Sequence, residues 1–242
     1  MFNKIDNTYY SDKFFYVINS QDYLLLTKAI NENPNSIKEL FTDKTKYDFF
    51  ITFLKELGTS LKFNPISKKE PSSLIRSTLY KLMEENIDLI IPKVIYKKID
   101  YLQKEAGIKL IEEDIAFEVK HKNITENNCT SGVVYITTMG DELLKKNSIL
   151  FNEGEVFEHY VLNAIISALA EMAANDLQEY LTSNRIIKQA FRLSPGYGNW
   201  KLDEQKKLFE VIRHADKIDV HLNEYNVIIP EKSTSGIMFE IK

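Results

Sequence analysis

The residues best suited to chemistry lie between Arg192 and Trp200, which read Arg-Leu-Ser-Pro-Gly-Tyr-Gly-Asn-Trp. An arginine guanidinium is a planar donor that matches a carboxylate, and the rings of Tyr197 and Trp200 offer flat apolar faces. Gly196 and Gly198 leave bare backbone that a ligand could approach closely. A small zwitterionic ligand that carries an aromatic base would suit such a loop. Pro-Gly and Gly-x-Gly fragments are common in turns, however, and the local chemistry by itself favours an ordinary turn.

The residues on either side predict that this loop connects a strand to a helix. Gln189-Ala190-Phe191 is a short β-prone run, and an amphipathic pattern predicts a helix over 202–214. Just before the loop, the strongest helical pattern of the chain extends from Glu153 to Ser183. Its apolar residues follow helical spacing so closely that we expect them to face a core rather than a membrane or a partner.

The rest of the chain reads as helices first and strands later. Helices are predicted around 23–30, from about Ser36 to Gly58, over 73–86 with Ser72 or Ser73 as cap, and over 141–147. Strands are predicted at 89–96, 108–119, 132–138, 219–229 and 234–241. We therefore expect an α+β fold with a mostly antiparallel sheet packed against the long helix. A helical N-terminal extension, 1–69, would precede the second domain, 70–242, with a linker near Pro65 to Pro71.

Composition narrows the class of protein. A chain of 242 residues with 44% hydrophobic residues can bury a substantial core. The net charge of −4 gives no basic excess to offset phosphates, which argues against a nucleic-acid-binding protein. The sequence contains no apolar run of membrane-spanning length, and its polar start is not that of a signal peptide. The single cysteine, Cys129, cannot form an internal disulfide, so we expect a cytoplasmic protein.

Other chemistry has little support in the sequence. The four histidines lack metal-ligand spacing and one cysteine cannot build a zinc site, so no metal site is predicted. There is no nucleophile elbow and no glycine-rich phosphate loop. Cys129 is expected to be a small buried side chain rather than a nucleophile.

The segment Arg192-x-x-x-Gly196-Tyr197 resembles the Arg-x-x-x-Gly-Tyr signature of the activation (reactivation) domain of cobalamin-dependent methionine synthase. The longer form, Arg-x-Ser-Pro-Gly-Tyr-Gly-x-Trp, is closer still to small stand-alone proteins that resemble that domain. The resemblance extends from about Leu74 to the end of the chain. Three further segments follow in the expected order: Thr138-Met139-Gly140, Leu162 to Ile165 with Glu171, and Leu222 to Gly236.

The resemblance implies that the loop binds S-adenosylmethionine, with Arg192, Ser194, Gly196 and Tyr197 lining the site. Arg192 would pair with the methionyl carboxylate, while Ser194 would contribute mainly backbone groups. The family also uses an acid on the long preceding helix for the ligand's ammonium group. Glu171 matches the pattern of the stand-alone proteins, whereas Asp176 or Glu179 match other alignment offsets.

The resemblance also implies a function: a reactivation module that supports reductive methylation of cob(II)alamin on a separate corrinoid protein or on methionine synthase. It would act as a methyltransferase component, with one electron supplied by a donor such as a flavodoxin. Asp219 to Glu224 is similar to the Asp-x-His-x-x-Gly corrinoid signature but ends in Glu224 instead of glycine. We expect His221 to be an ordinary strand residue, so that the cobalamin is supplied by a partner protein.

Departures from the family pattern keep other functions open. Asn199 and Lys201 stand where the stand-alone proteins usually have Asp and Pro, and the chain ends at Lys242, before a tyrosine that the family places beyond its last strand. The site would then be more open, or be completed by a second copy in a homodimer. The alternatives are a non-catalytic S-adenosylmethionine-binding or corrinoid-protein docking module, and an interaction protein that acts through residues 1–69.

Overall fold

The structure is a computed structural model that describes residues 2–32, 43–64 and 70–241. The chain divides into two compact units, each assembled from separated segments. We call the first the sheet unit; it contains residues 1–14, 93–138 and 177–242. We call the second the helical unit; it contains residues 15–92 and 139–176.

The sheet unit is built on antiparallel strands. In chain order they are β1 Asn3–Ile5, β2 Thr8–Ser11, β3 Lys93–Lys104, β4 Gly107–Leu110, β5 Ala116–Phe117, β6 Ser131–Thr138, β7 Ala190–Leu193, β8 His221–Leu222, β9 Ile228–Ile229 and β10 Ser233–Glu240. The main sheet has the order β1-β2-β3-β6-β10-β7, with β4 on β3 and β5 on β4, while β8 and β9 form a separate ribbon. Every pairing is antiparallel, which confirms the predicted type of sheet.

One face of this sheet carries the core of the sheet unit. Side chains alternate between the two faces of a strand, so residues two or four apart in β3, β6 and β10 point the same way. Three such pairs are buried in one cluster: Ile95 and Ile99, Val134 and Ile136, and Ile237 and Phe239. Helix α7, Gln205–Ile212, contributes Leu208, Val211 and Ile212 to the same cluster. The unit also contains α4, Lys122–Glu126, and short 3₁₀ turns at Leu202–Glu204 and Ala215–Ile218.

The helical unit has a core of its own. It contains α1 Ser20–Glu32, α2 Lys44–Leu61, α3 Ser73–Glu85, the 3₁₀ turn Ile87–Leu89 and α5 Glu142–Asn152. The long helix α6, Val156–Ser183, begins in this unit, and its residues from 177 onward belong to the sheet unit. Ser72 caps α3 as predicted, since its hydroxyl accepts the Ile75 N–H at 3.3 Å. No helix of the described residues is long and apolar enough to cross a membrane.

Three local predictions are wrong. The strand predicted over 219–229 is divided by a turn into β8 and β9, which pair with each other. Residues 3–11 were expected in a helical extension, but they form β1 and β2, and β2 pairs with β3. Tyr9 and Tyr10 of β2 are aromatic residues of the kind that strands favour, and the partner strand β3 lies more than 80 residues away in the chain. The strand predicted over 108–119 is interrupted between β4 and β5 by polar residues that turn the chain.

The helix predicted from about Ser36 to Gly58 and the linker predicted near Pro65 to Pro71 both lie partly outside the described residues. Within them, α2 begins at Lys44 and ends at Leu61. The boundary between 1–69 and 70–242 stays a prediction, although both compact units contain residues from each side of it.

Candidate functional site

The loop after β7 closes on itself through its own backbone. The Gly196 N–H donates to the Trp200 carbonyl at 2.7 Å, and the Tyr197 N–H donates to the Ser194 carbonyl at 3.2 Å. The Trp200 N–H in turn donates to the Tyr197 carbonyl at 3.2 Å. The loop therefore has a defined shape between the end of β7 and the 3₁₀ turn that leads into α7, which confirms the predicted strand, loop and helix.

Two glycines give the loop conformations that other residues rarely adopt. Gly196 has φ +91° and Gly198 has φ +63°. A Cβ atom on Gly198 would meet nothing within 4 Å, and one on Gly196 would meet only the Cδ1 of Leu202, at 3.6 Å. These glycines are therefore required by the backbone path and not by crowding, and the space beside them is open.

The two aromatic residues of the loop have opposite environments. Tyr197 is 75% exposed, whereas Trp200 is 2% exposed and belongs to the core cluster of the sheet unit. The Trp200 ring meets Phe117 edge-on, with 5.8 Å between ring centroids. The expectation that Trp200 offers a face to a ligand is therefore wrong. Its large apolar side chain is buried instead, where it anchors the end of the loop.

Arg192 extends from the face of the sheet opposite the core cluster. Its neighbours Phe191 and Leu193 both pack against that cluster, and Phe191 stacks on Phe239 with 5.4 Å between centroids. Because successive side chains of a strand alternate, Arg192 must point to the other face, where it is half-buried. Its backbone pairs with Met238 of β10, so the origin of the side chain is set by the sheet.

Gly236 of β10 lets the loop approach the sheet closely. A Cβ atom at this position would lie 2.3 Å from the Leu193 carbonyl oxygen and 2.9 Å from the Ser194 Oγ. No side chain fits there, so the end of β7 and Ser194 lie directly against bare backbone. The sequence shows a glycine at this position, but only the strand register shows what it faces.

Glu240 of β10 forms hydrogen bonds to β6 and to the segment that leads into β7. Its carboxylate accepts the Ser131 hydroxyl at 2.7 Å and the Lys188 N–H at 2.8 Å. Burial by itself raises the pKa of Glu240, but these hydrogen bonds and the nearby charge of Lys98 outweigh it and hold the pKa below the ordinary value of 4.5. The ionised side chain thus connects β6, β10 and the segment that leads into β7.

The three candidate acids on α6 have different surroundings. Asp176 is 4% exposed, and its two oxygens accept the N–H groups of Tyr16 and Val17 at 2.7 Å each. This carboxylate therefore holds a chain segment of the helical unit in place. Glu179 accepts the Ser183 hydroxyl at 2.7 Å, and Glu171 is half-buried in the helical unit. Arg192 lies in β7 and Ser194, Gly196 and Tyr197 lie in the loop that follows, all in the sheet unit. The roles of these four residues and of Glu171 as ligand contacts stay predictions.

Two residues outside the loop behave as expected. His221 lies in β8, is exposed and pairs with Ile229, so it is a strand residue as predicted. Cys129 is fully buried, with its Sγ 3.7 Å from the Asn123 carbonyl, which confirms the prediction of a small core side chain. In the part of the chain that the structure describes, no three His, Cys, Asp or Glu side chains are grouped as metal ligands.

No family model matches this chain, and no curated protein sequence matches it. Among solved structures, the chain is similar to one described as the crystal structure of the MetH reactivation domain bound to AdoHcy. The TM-score is 0.58 at 13% sequence identity, and the match covers 97% of this chain and 78% of that chain. This chain has the fold of that domain. Because the match covers nearly the whole chain, it also includes most of residues 1–69, for which the sequence suggests no resemblance.

Proposed function

We propose that this protein binds S-adenosylmethionine in the loop after β7 and serves as a stand-alone reactivation module. The observation that carries the proposal is the preformed loop, which places Ser194, Gly196 and Tyr197 directly after Arg192 near the end of β7. The solved structure with the same fold is described as bound to AdoHcy, the ligand that remains when S-adenosylmethionine has lost its methyl group.

The residues of the loop fit the parts of this ligand. The Arg192 guanidinium can form two parallel hydrogen bonds to the methionyl carboxylate, and the sheet sets where that side chain begins. Beside Gly196 and Gly198 there is open space for the ligand to approach backbone. The exposed Tyr197 ring has area to bury against adenine or ribose, or can face the sulfonium, which contributes about 0.5–2 kcal/mol.

The contribution of the protein to the reaction is positioning. S-adenosylmethionine would supply the methyl group, a donor such as a flavodoxin would supply one electron, and cob(II)alamin on a corrinoid protein or methionine synthase would be the acceptor. Holding the sulfonium in line with the acceptor lowers the entropic cost of the transfer, and no side chain of the loop need act as acid or base. The protein would work as a methyltransferase component in the cytoplasm.

Calorimetric titration with S-adenosylmethionine tests the binding step. Replacing Arg192 with Ala should weaken binding roughly 10- to 150-fold, because a charge-assisted hydrogen bond contributes about 1.5–3 kcal/mol. Arg213→Ala removes the same charge from an exposed position after α7 and serves as the matched control, with affinity expected to stay within twofold. Absence of binding to the unmodified protein at millimolar ligand would overturn the proposal, and unchanged affinity of Arg192→Ala would remove its carboxylate role.

One observation favours a second candidate, a binding or docking module without turnover. Gly196, Tyr197, Gly198 and Asn199 are all exposed, so this side of the loop is open to solvent. An open cradle suits a protein that binds the ligand and presents it to another surface, either a corrinoid protein or a second copy of this chain. The two candidates differ in whether a methyl group is transferred, which a direct assay decides.

A further inference from the structure

A groove in the sheet unit is lined by residues that do not belong to the loop after β7. It has a volume of about 280 Å³ and is formed by the end of β3, the start of β4, the segment after β5 and α4. At about 30 Å³ per water molecule, it has room for roughly nine waters, which is more than one phosphate group needs. The residues that line it are Gln103, Lys104, Glu105, Gly107, Val119, Lys120, His121, Lys122, Ile124 and Thr125.

The floor of the groove is fixed by backbone contacts. A Cβ atom on Gly107 would lie 2.0 Å from the Phe117 carbonyl oxygen, so β4 and the end of β5 touch without a side chain between them. The Gln103 amide donates to the carbonyls of Ile124 and Cys129 at 3.0 and 2.8 Å, which holds α4 against β3. A cleft with such a floor keeps its shape without a ligand.

The rim of the groove is cationic. Lys104, Lys120 and Lys122 are exposed, and in the described part of the chain none of them has a carboxylate within ion-pair distance. Other lysines of this unit are paired: Lys109 with Asp114 at 2.9 Å, and Lys201 with Glu118 at 3.5 Å.

The excess of positive charge at this rim is local. Among the lining residues only Glu105 is acidic, so three ammonium groups face one carboxylate on a protein whose net charge is −4. Like charges that converge on a concave surface attract an anion more strongly than the same charges spread over the protein.

His121 adds a ring N–H donor to the lining. Its Nδ1 accepts the Asn123 N–H at 3.2 Å, so in the neutral ring the proton sits on Nε2. The ring lies 5.7 Å from that of Phe191, centroid to centroid, which limits how it can turn. An Nε2–H donor together with three lysines suits an oxyanion that has several acceptor oxygens.

We propose that this groove binds the diphosphate group of a small molecule. Two adjoining phosphates match both the size of the cleft and its excess of positive charge, and their oxygens can accept from the lysines and from His121. The source is either inorganic pyrophosphate or a nucleoside diphosphate, which share this chemistry. The residues that line the groove do not include any residue of the loop after β7. Anion binding in the groove can therefore be tested separately from S-adenosylmethionine binding.

Calorimetry at low salt with inorganic pyrophosphate, with ADP and with adenosine tests the proposal. Replacing Lys104, Lys120 and Lys122 together with Gln should weaken pyrophosphate binding at least tenfold. Replacing the exposed Lys55, Lys81 and Lys206 with Gln changes the net charge equally and should alter affinity less than twofold. Binding of ADP that is tighter than that of pyrophosphate, without binding of adenosine, would identify a nucleotide as the source; equal affinities would identify inorganic pyrophosphate.

Amide chemical shifts locate the bound anion. Saturable shifts on pyrophosphate addition should concentrate in residues 103–107 and 119–125. Circular dichroism checks the folding of the triple variant, and Lys120→Gln alone, at an exposed position, gives an independent reading with a smaller loss. The proposal is overturned by the absence of saturable binding at millimolar anion, by an equal loss in both triple variants, or by shifts that map elsewhere.

Discussion

The absence of a side chain at Gly236 sets the position of the loop after β7. The Leu193 carbonyl and the Ser194 hydroxyl occupy the space that a side chain would need. Arg192, Leu193 and Ser194 can therefore follow β10 closely, and the turn at Gly196 begins from a fixed point. The proposed site therefore depends on Gly236, which would not contact a ligand, as well as on the residues that would.

Replacing Gly236 with Ala should both destabilise the protein and weaken S-adenosylmethionine binding. The added methyl group would lie 2.3 Å from the Leu193 carbonyl oxygen, so the strand end must shift, at a cost of about 1–3 kcal/mol of unfolding free energy. Denaturant unfolding measures the first effect and calorimetry the second.

Gly132→Ala is the control for this variant. A Cβ atom there would lie 2.4 Å from the Met238 carbonyl oxygen, a similar clash on the other side of β10. It should destabilise the protein to a similar extent but leave the affinity for S-adenosylmethionine nearly unchanged. An equal loss of affinity in both variants would contradict a specific role of Gly236 in positioning the loop.

At the scale of elements, β1 and β2 complete the edge of the main sheet. β2 pairs with β3 from Thr8 to Ser11, and the Thr8 hydroxyl donates to the Ile212 carbonyl at 3.3 Å. The Phe2 ring lies about 5 Å from those of Tyr96 and Tyr180. Residues 2–14 are thus part of the sheet unit rather than a separate extension.

Deleting residues 2–12 should lower the free energy of unfolding by about 3 kcal/mol or more. The deletion removes the half-buried rings of Phe2, Tyr9 and Tyr10, and full burial of one such side chain contributes about 1.5–3 kcal/mol; it also removes the hydrogen bonds between β2 and β3. It also exposes an unpaired edge of β3, so the variant should associate as its concentration rises. Chemical denaturation and light scattering measure the two effects. Lys4→Ala, at an exposed position of β1, should behave like the full chain; a monomeric deletion variant of unchanged stability would contradict this role of the edge strands.

At the scale of the whole molecule, the two candidate functions differ in whether bound S-adenosylmethionine would transfer its methyl group to cobalamin. A direct assay mixes the protein with a cob(II)alamin-loaded corrinoid protein, a one-electron reductant and S-adenosylmethionine labelled in its methyl group. We expect label in methylcobalamin only when protein and reductant are both present, because the transfer needs a positioned donor and one electron.

Arg192→Ala should reduce this transfer at limiting ligand, while Arg213→Ala should leave it unchanged. Binding of S-adenosylmethionine without any transfer to the corrinoid would instead favour the non-catalytic binding or docking module. Both outcomes are distinct from failure of the binding proposal itself, which the titration measures separately.

Short-range patterns predicted several elements correctly. The β-branched run before Thr138 is β6, the long apolar stripe is α6, and the Pro-Gly turn after Arg192 connects β7 to α7. These predictions succeed because periodicity, capping and turn chemistry act over a few neighbouring residues. The resemblance around Arg192 likewise pointed to the fold that the solved structure shares.

Long-range packing decided the rest. By composition alone Trp200 and Tyr197 are similar aromatic residues, but the sheet buries one and leaves the other exposed. The carboxylate of Asp176, one of the acids considered for the ligand's ammonium group, accepts the N–H groups of Tyr16 and Val17, which are about 160 residues away in the chain.

The sequence by itself determined which residues form the loop and which chemistry they can offer, because these properties are local. Only the tertiary structure decided which of them anchor the loop, which remain exposed to a ligand, and that the first strands pair with β3. Those outcomes depend on contacts between segments far apart in the chain, and the local spacing of residues does not predict such contacts.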